Sequence, residues 1–262
     1  EELFEDLVRL DSEKKLQLYI ELNYSVQSLG ELDHTLEIFQ KHQKRAPMRL
    51  RPQGLKVFMD GALGSEGAFL SYPYEGGHGT GQLLWTVLET ETLLRRCWQL
   101  GVPLALHCIG DASLDQVLTV AQKVQASGLT GHLSLEHAEV VHPESFAKME
   151  GLSIDFHFQP SHYLGDSEWL HKKLGERFSW CFPWKRVEEM GFPMYFGSDS
   201  PIVEPSLKKT LAGLQKSAAD GIPACCIDWK FAHSHPDKNW GKKVFTEVTD
   251  SGEVLRIEGL SD

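Results

Sequence analysis

The sequence predicts an α/β fold built on a parallel sheet, and three observations carry that prediction. Apolar runs of strand length recur along the chain with helix-length segments between them. Strands that alternate with helices are joined by crossovers, which makes neighbouring strands parallel. Neither GxGxxG nor GxxxxGK[ST] follows an early strand. That absence weighs against a doubly wound nucleotide binder and leaves the (β/α)8 barrel as the competing architecture.

Taken in order, the predicted strands are "LQLYIEL" (16–22), "LKVFMDG" (55–61), "PLALHCIG" (103–110), "HLSLEHAEV" (132–140), "LSIDFHFQP" (152–160) and "PMYFGSDSP" (193–201). Between them, "LLWTVLETETLLRRCWQLG" (83–101), "SLDQVLTVAQKVQASG" (113–128) and "HPESFAKMEG" (142–151) carry apolar residues at helical spacings and stop at glycine. Pro183 divides 167–191 into two short helices, since proline cannot sit inside one. "GGHGTG" (76–81) does not bridge a strand and a helix, and reads as a loop. Loops 61–82 and 161–175 are the expected sources of pocket specificity.

Bulk properties exclude several classes. The 262 residues suffice for one large domain, and 41% hydrophobic with 24% charged residues is ordinary for a globular protein. The net charge of -11 offers no basic face for nucleic acid. No segment approaches the ~20 apolar residues that cross a bilayer. The start, "EELFEDLVRLDSEKK", is charged and helical in character rather than a signal peptide. Five cysteines without a CxxC pair indicate neither a disulfide framework nor a zinc finger. A cytoplasmic, reduced protein is expected.

In a barrel the carboxyl ends of the strands converge on one mouth, so the polar residue at each end is informative. "LKVFMDG" offers Lys56 and Asp60, on one strand face because their separation is even. "PLALHCIGD" offers His107 and Asp111, "HLSLEHAEV" offers His137, "LSIDFHFQPSH" offers Gln159 and His162, and "PMYFGSDSP" offers Asp199. Singly, each histidine reads as structural, Lys56 as salt-bridged and Asp199 as a turn cap. Together, Lys, His, His and Asp on successive strands form the pattern of a hydrolytic metal centre. Imidazole and carboxylate suit zinc and similar divalent ions, and ligands from separate strands leave a coordination position open. Lys56 joins such a set only if its amine is carboxylated, which supplies an anionic bridge between two metals. His157 is internal to its strand and reads as structural, and Trp169, Trp180 and Trp184 read as core or pocket wall.

The segments "LKVFMDGALGSEGAFLSYPY", "LALHCIGDAS", "LSLEHAEVVHPESFAKMEGLSIDFHFQPSH", "LGERFSWCFPWKRVEEMG" and "FGSDSPIVEPSL" resemble the amidohydrolase superfamily, in the family 3 branch that includes N-substituted formamide deformylases. The resemblance implies a (β/α)8 metal-dependent hydrolase acting on a non-peptide carbon–nitrogen bond of a small amide-type substrate. It implies His107 and His137 as ligands to one or two ions, zinc foremost, with Lys56 carboxylated and bridging. It assigns Asp199 as the catalytic carboxylate and His162 to the pocket lining. Asp60 is read as a substrate-side or supporting residue.

Two features depart from the family pattern. The His-x-His pair that should precede Lys56 is absent from the first 50 residues, where only His34 and His42 occur. The expectation is therefore an incomplete barrel of strands three to eight over 1–220. A strand and hairpin segment over 221–262 follows, as a remnant of a β-sandwich, with its turn at Asp250-Ser251-Gly252. Second, "ACCIDWKFAHSHPDKNW" places His233 and His235 behind an apolar run. A strand there could fill the vacant first barrel position and bring those two histidines to the metal. Two other functional readings stay open, a non-catalytic truncated barrel and a deaminase or isomerase on the same scaffold. Oligomeric state is open as well, including a homo-oligomer.

Overall fold

The computed structural model describes residues 2–16, 18–77, 79–223 and 225, together with the backbone of three strands beyond them. The chain forms two compact units, Glu1–Phe156 and His157–Asp262.

The first unit opens with α1 (Glu2–Ser12), β1 (Ile20–Ser25), α2 (Leu29–Gln43) and β2 (Leu50–Phe58). It continues with α3 (Val87–Gln99), β3 (Leu104–Cys108), α4 (Asp111–Ala126), β4 (His132–His137) and α5 (Ser145–Lys148). β5 (Ser153–Phe158) carries the chain across the division between units. β1 to β4 pair in chain order, each parallel to the next. Parallel strands in chain order, each followed by a helix, form the arrangement of part of a (β/α)8 barrel.

The ladder register sorts the side chains onto two faces, because successive residues of a strand point opposite ways. Leu55 aligns with Leu104 and Leu133, and Val57 with Leu106 and Leu135. All six are fully buried. Burial of each contributes ~2 kcal/mol before conformational entropy is subtracted. α4 packs against β3 and adds Leu114, Val117, Leu118 and Ala121 to this core. On the opposite face Lys56 aligns with Ala105 and Ser134, and Phe58 with His107 and Glu136. The polar face is the one that can do chemistry.

Several boundaries differ from the sequence reading. β1 begins at Ile20 rather than at residue 16, because the chain after α1 still winds on that helix. The amides of Lys15 and Leu16 both donate to the Leu10 carbonyl, at 2.8 and 3.2 Å. β2 begins five residues earlier than expected, despite Pro52 and Gly54 in its sequence. A register shift opposite Leu22 and Asn23 accommodates them as a bulge, where proline and glycine are tolerated. Gly54 is required there, since a Cβ would lie 2.3 Å from the Pro103 carbonyl oxygen. α3 starts at a capping box in which Thr86 and Glu89 satisfy each other's backbone amides.

The second unit contains α6 (Pro160–Leu174), a 3-10 turn at Gly175–Trp180, α7 (Trp184–Glu189), β6 (Met194–Phe196) and α8 (Leu207–Ala219). β6 follows the end of β5, and the Gly197 amide donates to the Phe158 carbonyl at 2.9 Å. The segment expected as a pocket loop, 161–175, is instead α6. Pro160 at its first turn suits helix initiation, and Tyr163, Leu170 and Leu174 are buried along it. The break at Pro183 is as expected, with α7 starting directly after it. Trp184 is core, within ring contact of Phe158 and Phe182.

β7 (Lys230–His233), β8 (Val244–Val248) and β9 (Val254–Glu258) form a separate antiparallel sheet in chain order. β8 and β9 are the hairpin expected in the tail, and its turn residues lie outside the described ones. β7 pairs antiparallel with β8, which corrects the idea of a parallel barrel strand at this point. An antiparallel neighbour whose nearest paired residue, Val244, follows His233 closely in sequence closes at a small entropic cost, and it meets the hydrogen-bonding needs of that strand edge. His235 lies outside the described residues.

Candidate metal centre

β3 delivers His107 one residue before its end, on the same face as Phe58 and Glu136. His137, the last residue of β4, aligns with Cys108, so strict alternation would turn it to the apolar face. It does not stay there. The backbone of His137 is left-handed at φ 71°, as is Ala138 at 42°, and the two imidazole rings meet with centroids 4.5 Å apart and planes at 66°. Left-handed backbone at residues other than glycine is costly, on the order of 1–3 kcal/mol each, and collects at functional sites. The Ala138 amide donates to the carbonyls of Cys108 and Glu136, both at 3.0 Å, which holds the turned end in place.

The two rings are buried, His107 at 8% exposure and His137 at 5%. The Asp60 carboxylate lies 3.8 Å from His107 Nε2. Lys56 Nζ is 3.9 Å from Glu136 Oε1 and 5.5 Å from the centre of the Phe58 ring, which itself lies 5.0 Å from the His107 ring. Burial pushes the Asp60 carboxyl up to about 6, against the pull of four hydrogen bonds from Ile109, Ser113, Phe69 and Gly110. Cys108 is driven well above the usual thiol range by burial and by the nearby Asp60 charge. That makes it a filler rather than a nucleophile.

The donor set fits a divalent ion. Two buried imidazoles in ring contact, with a carboxylate beside one of them, are the ligands and the ligand support that zinc-type centres use. Lys56, as it stands, is the cation of an ion pair with Glu136. In the second unit, His162 in the first turn of α6 has its Nε2 4.0 Å from Asp199 Oδ2. Asp199 also has left-handed backbone, at φ 57°.

The structure thus groups His107 with His137 and Asp60, Lys56 with Glu136, and His162 with Asp199. Glu136 and Phe58 are additions that the sequence reading missed. Phe58 was legible, standing between Lys56 and Asp60 at even spacing on one strand face. Glu136 was not, because its neighbour His137 took the strand-end assignment.

Residues 4–207 match the amidohydrolase family, and the chain belongs to that family. The Bacillus subtilis protein YtcJ, which carries an amidohydrolase name, is 33% identical over 170 residues, covering 63% of this chain and 32% of that protein. N-substituted formamide deformylase of Arthrobacter pascens is 27% identical over 181 residues, covering 68% of this chain and 32% of its own. A solved metal-dependent hydrolase from Pyrococcus furiosus superposes with TM-score 0.68 and 25% identity over 82% of this chain and 44% of that one. The chain thus spans about a third of the length of the curated relatives it matches. The fold is an incomplete (β/α)8 barrel of the metal-dependent hydrolase type. Among the described residues, no helix is long and apolar enough to cross a membrane.

Proposed function

We propose that this chain carries the ligand-bearing part of a hydrolase for non-peptide carbon–nitrogen bonds, with amides or formamides as substrates. The observation that carries the reading is the contact between the His107 and His137 rings, made at the cost of left-handed backbone. Kinship with a protein named as an N-substituted formamide deformylase supports the bond type. A bound divalent ion, zinc by donor type and one or two in number, would supply polarisation of the carbonyl and lower the pKa of a water to about 7. His107 and His137 would hold it. Lys56, where carboxylated, would bridge two ions. Asp199 is assigned to accept a proton from water and return it to the departing nitrogen, so that the carbon–nitrogen bond breaks to leave an acid and an amine. His162, beside Asp199, would orient that carboxylate or line the pocket.

A cytoplasmic setting agrees with the buried cysteines Cys97, Cys108, Cys181 and Cys225, none of which forms a disulfide among the described residues. The strands of 221–262 are read as a remnant of a β-sandwich and 1–220 as the barrel part. Elemental analysis of the purified protein, paired with a screen for amine release from formamides and amides, tests the reading. Metal content that vanishes in His107→Ala, together with amine release, supports it. A protein with no divalent metal, equally indifferent to His107→Ala, refutes it. Metal uptake without amine release instead favours the non-catalytic barrel, and ammonia release from an amidine-type substrate favours a deaminase.

A further inference from the structure

We propose that Asp60 is a positioning residue, which clamps the 61–82 loop to the turn behind His107 and so makes that loop a fixed wall of the site rather than a moving lid. The proposal rests on the reading of His107 as a metal ligand.

Asp60 follows β2 by two residues and is 1% exposed, so its carboxylate is out of a substrate's reach. Both oxygens are spent on the protein. Oδ2 accepts from the Phe69 amide at 2.9 Å, the Gly110 amide at 2.8 Å and the Ser113 hydroxyl at 2.7 Å. Oδ1 accepts from the Ile109 amide at 3.0 Å and stands 3.8 Å from His107 Nε2. One side chain therefore joins the loop, the turn after β3 and the first turn of α4, and stands beside the His107 ring.

The loop reciprocates. α4 has glycine at its N-cap and no side chain to receive its first amides. The Phe69 carbonyl takes that part, accepting from Ala112 at 3.1 Å and Ser113 at 3.4 Å. The approach is so close that a Cβ on Gly110 would lie 2.1 Å from the Phe69 oxygen. Two residues after Phe69, Ser71 donates from its amide at 3.0 Å and from its hydroxyl to the buried Asp111 carboxylate. The far limb is tied back as well, Gln82 to the Gly67 carbonyl at 3.1 Å and Leu84 to that of Met59 at 2.9 Å. The loop is thus fastened on its near limb at 69 and 71 and on its far limb at 82 and 84.

The test is amide hydrogen exchange by mass spectrometry together with Zn2+ affinity, measured by competition with a chromogenic chelator. In Asp60→Asn, exchange at Phe69, Ile109 and Gly110 should quicken at least tenfold. Zn2+ affinity should fall about 10- to 100-fold, as it does when the partner of a ligand is lost, while far-UV circular dichroism is unchanged. Asp111→Asn should quicken exchange at Ser71 and leave Zn2+ affinity at the wild-type value, which separates the loop's anchor from the ligand's. Wild-type exchange and wild-type affinity in Asp60→Asn would overturn the proposal. If the unsubstituted protein takes up no Zn2+, the metal reading fails, and the exchange comparison alone decides whether Asp60 clamps the loop. Should Asp60→Asn not fold, Ser113→Ala removes one of the four donors, and unaltered exchange at Phe69 in that variant overturns the clamp.

Discussion

The rings of His107 and His137 lie 4.5 Å apart although their ladder positions belong to opposite faces of the sheet. His137 crosses over only because β4 ends on it with left-handed backbone, a conformation that L-residues with a Cβ adopt at a cost. In the proposed reading of the two rings as metal ligands, that cost is what brings them together.

Removing either ring should therefore remove the metal. His107→Ala and His137→Ala should each lower divalent metal content at least tenfold by plasma mass spectrometry. Since each leaves a small polar-lined gap rather than breaking a strand, secondary structure by circular dichroism should persist.

Asp199, proposed as the proton-transferring carboxylate, is a second residue with left-handed backbone. Its φ of 57° suits glycine better. Asp199→Gly should raise stability in urea titration, since relief of left-handed strain of ~1–3 kcal/mol outweighs glycine's extra chain entropy of ~0.5–1 kcal/mol, while abolishing any amine release that the unsubstituted protein shows.

Gly110→Ala should do the reverse. The new methyl would overlap the Phe69 carbonyl, which is backbone and fixed by two amides of α4. A destabilisation of ~1–3 kcal/mol is expected from such overpacking, with exchange at 69–71 quickened.

Alkaline pH should act through Tyr24. Burial pushes its phenol up to about 12, above the ordinary value of about 10. The neutral form is thus favoured in the folded chain. Its contribution is fully present below about pH 10 and is lost as pH rises through about 12. Tyr24 OH also stands 2.8 Å from Nδ1 of the buried His42. Tyr24→Phe should cost ~1–2 kcal/mol at pH 8 through that lost hydrogen bond, and should flatten the alkaline limb of the stability profile, read from the urea midpoint.

Cys97 and Cys108 should resist iodoacetamide at pH 8 in the native protein and react fully in urea, as peptide mapping would show. Burial pushes the Cys97 thiol up to about 12 and Cys108 well above its usual range, and only thiolates alkylate.

Much of the fold was legible because it is written locally. Six apolar runs and the helices between them appear where their periodicities place them, with ends off by a few residues. The larger misses have physical causes. Leu16 looks like the start of a strand but closes the winding of α1, and Pro52 and Gly54 look like a strand's end but form a bulge inside β2. α2 went unassigned, its apolar residues Leu32, Leu36 and Phe39 being diluted among charges. Residues 161–175 look like a loop because Gln159-Pro160 interrupts the apolar run, yet proline there starts α6.

The sequence by itself determined which chemistries stand at the strand ends, since that follows from a two-residue alternation and from the types of side chain present. It could not decide which face each one reaches, because His137 escapes the alternation through a backbone torsion held by Ala138 and Cys108. Nor could it show that Asp60 is wholly enclosed, since its hydroxyl donor Ser113 is 53 residues away. Pattern carries over a few residues of chain. Enclosure requires the chain to return on itself, and only the folded arrangement of loop, turn and helix supplies the donors that fill that carboxylate.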